Sequence, residues 1–181
     1  MHRFAVSAVF FLALTAGAHG KCTSVKNTVG KDSFLWKAIE ATGLVGAVTS
    51  GGITLLAPTD AALTDAAMLV GLSVEELLGE TAALTEILKY HVLTSTVKAA
   101  DLAGDASFPT ALTDASCGVS EVTGGEMIGG GLTSASVTAG DKEACKGTIV
   151  HEISAVLVAC PLQFASATGG SSSGSSSGGS G

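Results

Sequence analysis

The sequence predicts an α+β domain in which several short helices precede a mostly antiparallel sheet. Two observations carry this. From Ser33 to His91, apolar residues recur at helical spacing behind recognisable capping residues. Beyond Leu93, short β-prone pieces alternate with Gly, Asp and Ser. Helices gathered first and strands second fit an α+β layering. No internal repeat is visible, and 181 residues suit one domain with ends attached.

Ser33 is placed to cap a first helix carrying Phe34, Leu35, Trp36 and Ile39, which Gly43 ends. A second apolar segment, Leu44 to Val48, runs into the turn Ser50-Gly51-Gly52. Ile53 to Leu56 then has strand chemistry and stops at Pro58, which fixes its own φ and biases Ala57 away from helix. Thr59 and Asp60 are both able N-caps for a helix from Ala61 to Met68. Ser73-Val-Glu-Glu76 reads as a capping box for a helix through Leu78. Thr81 starts another, in which Leu84, Ile87, Leu88 and His91 share one face. The expected strands lie around Phe108–Leu112, Ser116–Val122, Leu132–Thr138 and Thr148–Ala159, with Gly124-Gly125 and Gly140-Asp141 as turns.

The two ends read differently from the domain between them. Met1-His-Arg3, an apolar run from Phe4 to Leu14 and a small-residue site at Ala18-His-Gly20 read as a secretory signal peptide over residues 1–20. The domain is expected over 21–164. From 165 to 181 the chain is a Gly/Ser-rich tail with the composition of a flexible coil, and it lacks the apolar terminal segment of a lipid-anchor signal. Free secretion into the extracellular space, with no membrane anchor, is the expectation.

The leader holds Arg3, the sole arginine, so the mature chain carries eight lysines against sixteen acidic residues, a net charge of −8. An acidic surface without guanidinium groups disfavours nucleic acid and anionic membranes as partners. Four cysteines (Cys22, Cys117, Cys145 and Cys160) in a secreted chain suggest two disulfides, with three pairings open. None is spaced as a zinc ligand pair.

His91 and His151 are the two histidines of the mature chain. His91 lies on the apolar stripe of its helix, and His151 shares strand parity with Ile149 and Ile153. A buried, hydrogen-bonded histidine is the favoured reading of both, over a metal site that would need a third ligand. No nucleophile elbow or phosphate-binding glycine loop occurs. The chain is therefore expected not to be an enzyme, and to require no cofactor.

Gly124 to Gly131 is an unusual glycine-rich stretch with Met127 and Ile128 at its tip, and Met68-Leu-Val70 with Leu72 forms a second apolar cluster. Two readings stand side by side. In one, Met68, Val70, Leu72, Met127 and Ile128 line a groove for an elongated apolar ligand. In the other, the glycine-rich loop folds back on the core.

Three segments taken together carry a resemblance. Thr54-Leu-Leu-Ala-Pro-Thr-Asp-Ala-Ala-Leu63 resembles the first signature of fasciclin (FAS1) domains. Leu88-Lys-Tyr-His-Val-Leu93 resembles their tyrosine-histidine motif, and Gly147-Thr-Ile-Val-His-Glu-Ile-Ser-Ala-Val-Leu157 is similar to their second signature. Order and spacing fit over about Cys22 to Pro161. The resemblance implies a β-wedge of about seven strands packed with helices. It also implies a non-catalytic role in contacts with extracellular matrix, cell wall, or a cell-surface protein or glycan. Thr59, Asp60, His91 and His151 are then fold-motif residues, and Tyr90 is the family's candidate adhesion contact; a half-buried tyrosine with its hydroxyl satisfied locally is the competing reading. Secreted single domains similar to this one in green algae include water-soluble carotenoid binders of astaxanthin-binding type, so a carrier with a bound carotenoid is the alternative role.

Departures from the family pattern are specific. Asp60 stands where asparagine is usual, which preserves a capping side chain. Leu63 replaces an aromatic. Ser154 replaces the usual aspartate of the second signature, which weakens an acidic integrin-type contact there. The resemblance also places the last strand near the N-terminal helix, which implies the pairs Cys22–Cys160 and Cys117–Cys145.

Overall fold

A computed structural model describes residues 22–113 and 121–162. The leader, Cys117 and the Gly/Ser tail lie outside the described residues. The helices are α1 (Val25–Val29), α2 (Phe34–Ala41), α3 (Val45–Val48), α4 (Asp60–Leu69), α5 (Val74–Gly79), α6 (Thr81–Tyr90) and α7 (Ala99–Leu102). The strands are β1 (Thr54–Pro58), β2 (Val92–Leu93), β3 (Ser107–Pro109), β4 (Glu121–Thr123), β5 (Ile128–Gly129), β6 (Ser134–Ala135), β7 (Val137–Ala144) and β8 (Thr148–Ile153). The class is α+β, with eight strands among the described residues, one more than expected, in two four-stranded sheets of order β2-β1-β8-β7 and β3-β4-β5-β6.

The first sheet brings the three signature segments together. β1 pairs in parallel with β8, placing Leu56 opposite His151, and antiparallel with β2. Every residue of β1 is buried, as both its faces are covered. On one face Leu55, Ala57 and Val150 join the helical core with Leu35, Ile39, Leu63, Leu84 and Ile87. On the other, Leu56 and Ile153 join Tyr90, Leu93, Val122 and Ile128 in a second core against the second sheet. The interior facing of Leu84, Ile87 and Ile153 agrees with the helical and strand periodicity of the sequence.

The caps form largely as the local sequence dictates. Ser33, Thr59 and Ser73 each accept from the backbone N–H three residues on, and Glu76 closes a capping box with Ser73. Asp60 does a different job from the one expected of it. Thr59 alone caps α4, while Asp60 Oδ1 accepts the N–H of Phe34 at 2.9 Å. Its carboxylate therefore ties the first turn of α4 to the start of α2, and both positive helix ends favour a negative group there.

Four expectations need correction. Gly140-Asp141 is no turn but lies inside β7, where register shifts mark an irregular ladder. Asp141 takes a positive φ of 55° there, its N–H donates to His151 Nδ1, and its carboxylate accepts from Ala99 N. The actual reversal is the 3-10 turn Cys145–Gly147. Second, the strand expected to run from Thr148 to Ala159 ends at Ile153. Past that point side-chain acceptors replace ladder partners: Leu157 N–H goes to His91 Nε2 and Val158 N–H to Thr133 Oγ1.

The third correction concerns the disulfide. Cys22 pairs with Cys145, not with Cys160. The turn after β7, rather than the last apolar segment, lies against the N-terminus, and Cys145 N–H donates to Thr23 O at 2.9 Å. Cys160, itself in a disulfide, is fully buried in the second core. With Cys145 taken by Cys22, the expected Cys117–Cys145 pair is excluded as well. Fourth, Ile128 does not sit at a loop tip, and the glycine-rich stretch folds back on the core through the two residues of β5. Ile128 belongs to β5 and is buried, while Met127 before it faces solvent. The glycines serve close packing: a Cβ on Gly131 would lie 2.3 Å from Val158 O, and one on Gly130 2.8 Å from Glu121 O.

Candidate functional site

Helix α4 buries Ala62, Leu63 and Ala67 and turns its C-terminal end to solvent. Met68, Leu69 and Val70 there are 64%, 87% and 42% exposed. Alanine at 62 and 66 leaves a shallow channel beside the helix, because a methyl group fills so little of the space. The opposite wall is the segment from Ser154 to Leu162, and Leu132, 62% exposed, closes one side. Together they enclose an open groove of about 470 Å³. Its wall is held from behind, since Thr133 Oγ1 donates to Val156 O at 2.8 Å and accepts from Val158 N at 2.7 Å.

Beneath the groove lies a smaller chamber of about 50 Å³ between α4, α5 and α6. Ala66, Val70, Val156, Val158 and Leu162 border both spaces, so the two are neighbours across one set of side chains. The chamber reaches His91. That imidazole is fully buried, and both nitrogens are engaged: Nδ1 donates to Ile87 O at 2.8 Å and Nε2 accepts from Leu157 N at 3.1 Å. Burial lowers its pKa from 6.5 to about 4, against the opposing hydrogen bond to Ile87. A neutral ring with no free nitrogen can neither relay a proton nor ligate a metal while these bonds hold.

His151 is equally enclosed. Its Nε2 donates to Val97 O at 2.9 Å and its Nδ1 accepts from Asp141 N at 3.1 Å. Among the described residues, no three His, Cys, Asp or Glu side chains gather where a metal ion could be held. Both histidines fix irregular backbone, His91 the groove wall past β8 and His151 the shifted part of β7.

Tyr90 does not reach a surface. It is 0% exposed, packs in the second core, and its hydroxyl donates to Glu121 O at 2.9 Å. Adjacent helical positions diverge by about 100°, but here a second core, not solvent, waits on that side. The side chain is thus no adhesion contact in this fold. Of the five apolar candidates, Val70 lines the groove. Leu72 packs partly against the helical core, Ile128 is buried, and Met68 and Met127 are exposed outside the groove lining.

Sequence reading missed Asp65, Ala66, Leu69, Leu132 and the wall from Ala155 to Leu162. The continuous, valine-rich apolar run Ala155-Val-Leu-Val158 mimics a buried strand. Only Pro161 and the absence of any following strand hinted that this run ends elsewhere.

Comparison with known proteins agrees with this architecture. The fasciclin domain family model matches residues 31–159. Among solved structures, the chain is similar to a FAS1 domain pair from the insect cell adhesion molecule fasciclin I, at 19% identity and a TM-score of 0.50. The similarity covers 71% of this chain and 46% of that one, so the chain spans about half the length of that structure. A comparison with curated protein sequences returns no match. A family match over well beyond half the sequence, with the three signature segments side by side in one sheet, means that this chain belongs to the fasciclin domain family.

Proposed function

We propose that this chain is a non-catalytic, secreted domain of adhesion type, acting through contacts with extracellular matrix, cell wall, or a cell-surface protein or glycan. The observation that carries the reading is the open apolar groove beside α4, with Leu69 and Leu132 exposed at its edges. Contiguous exposed apolar surface on a soluble domain marks a contact site. Membership of a family of adhesion-type extracellular domains supports the same reading. Engagement of both nitrogens of both histidines argues against acid–base catalysis. A disulfide between Cys22 and Cys145 suits an oxidising, extracellular setting. The test is retention on extracellular matrix or cell-wall preparations. Leu69→Asp with Leu132→Asp is expected to abolish it, and Met127→Asp, outside the groove, is expected to leave it intact. Equal retention of all three proteins would exclude the groove as the contact face.

A second reading has its own support. The groove is backed by a chamber whose lining offers no free hydrogen-bonding group, which suits an apolar small molecule such as a carotenoid. The absorption spectrum of protein from its native source discriminates. A bound visible chromophore favours the carrier, and colourless protein favours adhesion.

A further inference from the structure

The walls of the groove carry almost no charge. α4 contributes Asp60 and Asp65, and neither residues 129–136 nor Ser154–Leu162 includes a lysine or a carboxylate. Asp60 is turned away to the Phe34 N–H. That leaves Asp65 as the one ionisable side chain lining the groove. It is exposed at the rim, and none of the ion pairs among the described residues includes it. The other polar side chains of the lining are already occupied. Thr133 is bonded on both sides to the wall, and Ser154 Oγ accepts from Ser136 N at 3.0 Å. At the inner side, His91 has no nitrogen left for a ligand. One end of the site thus accepts only apolar groups, and the other presents a lone carboxylate.

We propose that the groove takes an elongated amphiphile with a cationic head, its apolar body along Ala66, Val70 and Val156 and its head at Asp65. This rests on the reading of the groove as a small-molecule site and adds the chemistry of the ligand's polar end. A carboxylate with no basic neighbour on its own walls attracts a cation and repels an anion. The acidic balance of the whole chain, −7 by formal count, acts in the same direction. The solvent-exposed pair limits the gain, so a cationic head improves affinity by about fivefold over a neutral one at low salt, and by less as salt rises.

The full chain is first titrated with the neutral fluorophore N-phenyl-1-naphthylamine. Dodecylammonium, dodecanol and dodecyl sulfate, each below its micelle-forming concentration, then compete for the site. The expected order of displacement is ammonium, alcohol, sulfate. In Asp65→Asn the ratio between ammonium and alcohol should fall to within about twofold of unity. In Asp101→Asn, an exposed carboxylate on α7, the ratio should persist. Ala66→Trp, with Leu132→Ser as a second variant and far-UV spectra to check folding, should weaken the fluorophore itself. Fluorophore that fails to bind, or binds equally in both filled and opened variants, overturns the groove site and the inference with it. Fluorophore that binds in the groove while the head-group ratio is absent, or unchanged in Asp65→Asn, overturns the role of Asp65 alone.

Discussion

His91 gives the domain a specific acid sensitivity. In the unfolded chain its imidazole titrates near 6.5, and in the fold, with burial the dominant cause, at about 4. Between those values the unfolded chain binds one more proton than the native one, so stability rises with pH across the window. The contribution is complete above 6.5 and is lost as pH falls through the folded value. Linkage puts the loss at about 2 kcal/mol by pH 5 and about 3 kcal/mol by pH 4. Carboxylates held below their ordinary value by hydrogen bonds, such as Glu40 with Lys26 and Glu76 with Ser73, enter mainly toward the lower end of this window. Urea denaturation at pH 7 and pH 5, compared between the wild type and His91→Gln, therefore isolates His91. The share of His91 in the wild-type loss over that interval is about 2 kcal/mol. His91→Gln, which cannot titrate, should lose about 2 kcal/mol less over the same interval, whatever its starting stability. Equal slopes in the two proteins, or an NMR titration that finds the His91 ring protonating near 6.5, would refute the reasoning.

Three other outcomes follow from single contacts. Thr59→Ala removes the cap of α4 and should destabilise the domain by about 1 kcal/mol in denaturant titration, with Thr59→Ser restoring most of it. Tyr90→Phe deletes the bond to Glu121 O and should cost about 1 kcal/mol without changing retention on matrix, since the ring is buried. Loss of retention at full stability would restore Tyr90 as a contact. Peptide mapping under non-reducing conditions should recover Cys22 joined to Cys145. Because 123 residues separate them, Cys22→Ser should lower stability by about 5 kcal/mol on a chain-entropy estimate.

What was legible in the sequence is what short-range chemistry decides. Ser33, Thr59 and Ser73 cap helices because each side-chain oxygen finds its N–H within one turn, with no help from the rest of the chain. The same holds for Leu84, Ile87 and Leu88, whose spacing alone puts them on one face. The misreadings share another cause. Gly140-Asp141 has turn composition, but Ala99 and His151 claim its polar groups and hold it in the sheet. Ala155 to Val158 has strand composition, but His91 and Thr133, distant in sequence, claim its N–H groups and pull it out. Tyr90 stood as a candidate contact beside a half-buried alternative because helical geometry says only that it diverges from His91, and not that a second core lies there. The groove was invisible for the same reason, being made by Ala66, Leu132 and Val158, three residues that no local pattern connects.

The position of His91 also changes how its motif should be understood. Its carbonyl accepts the N–H of Leu56 at 2.8 Å, its Nδ1 holds the last turn of α6, and its Nε2 holds Leu157. One residue thus ties the first signature strand, the motif helix and the groove wall to each other. Leu157 sits between Val156 and Val158, which line the groove, so a shift of that backbone changes the shape of the site without touching any ligand. A binding defect produced by changing His91 then reports a displaced wall and not a lost contact. Acid should act the same way: a protonated ring has two donors, loses its acceptor for Leu157 N–H, and frees the wall to move. Weaker groove binding at pH 4 than at pH 7 in the wild type, with little change in His91→Gln, is the pattern this coupling requires.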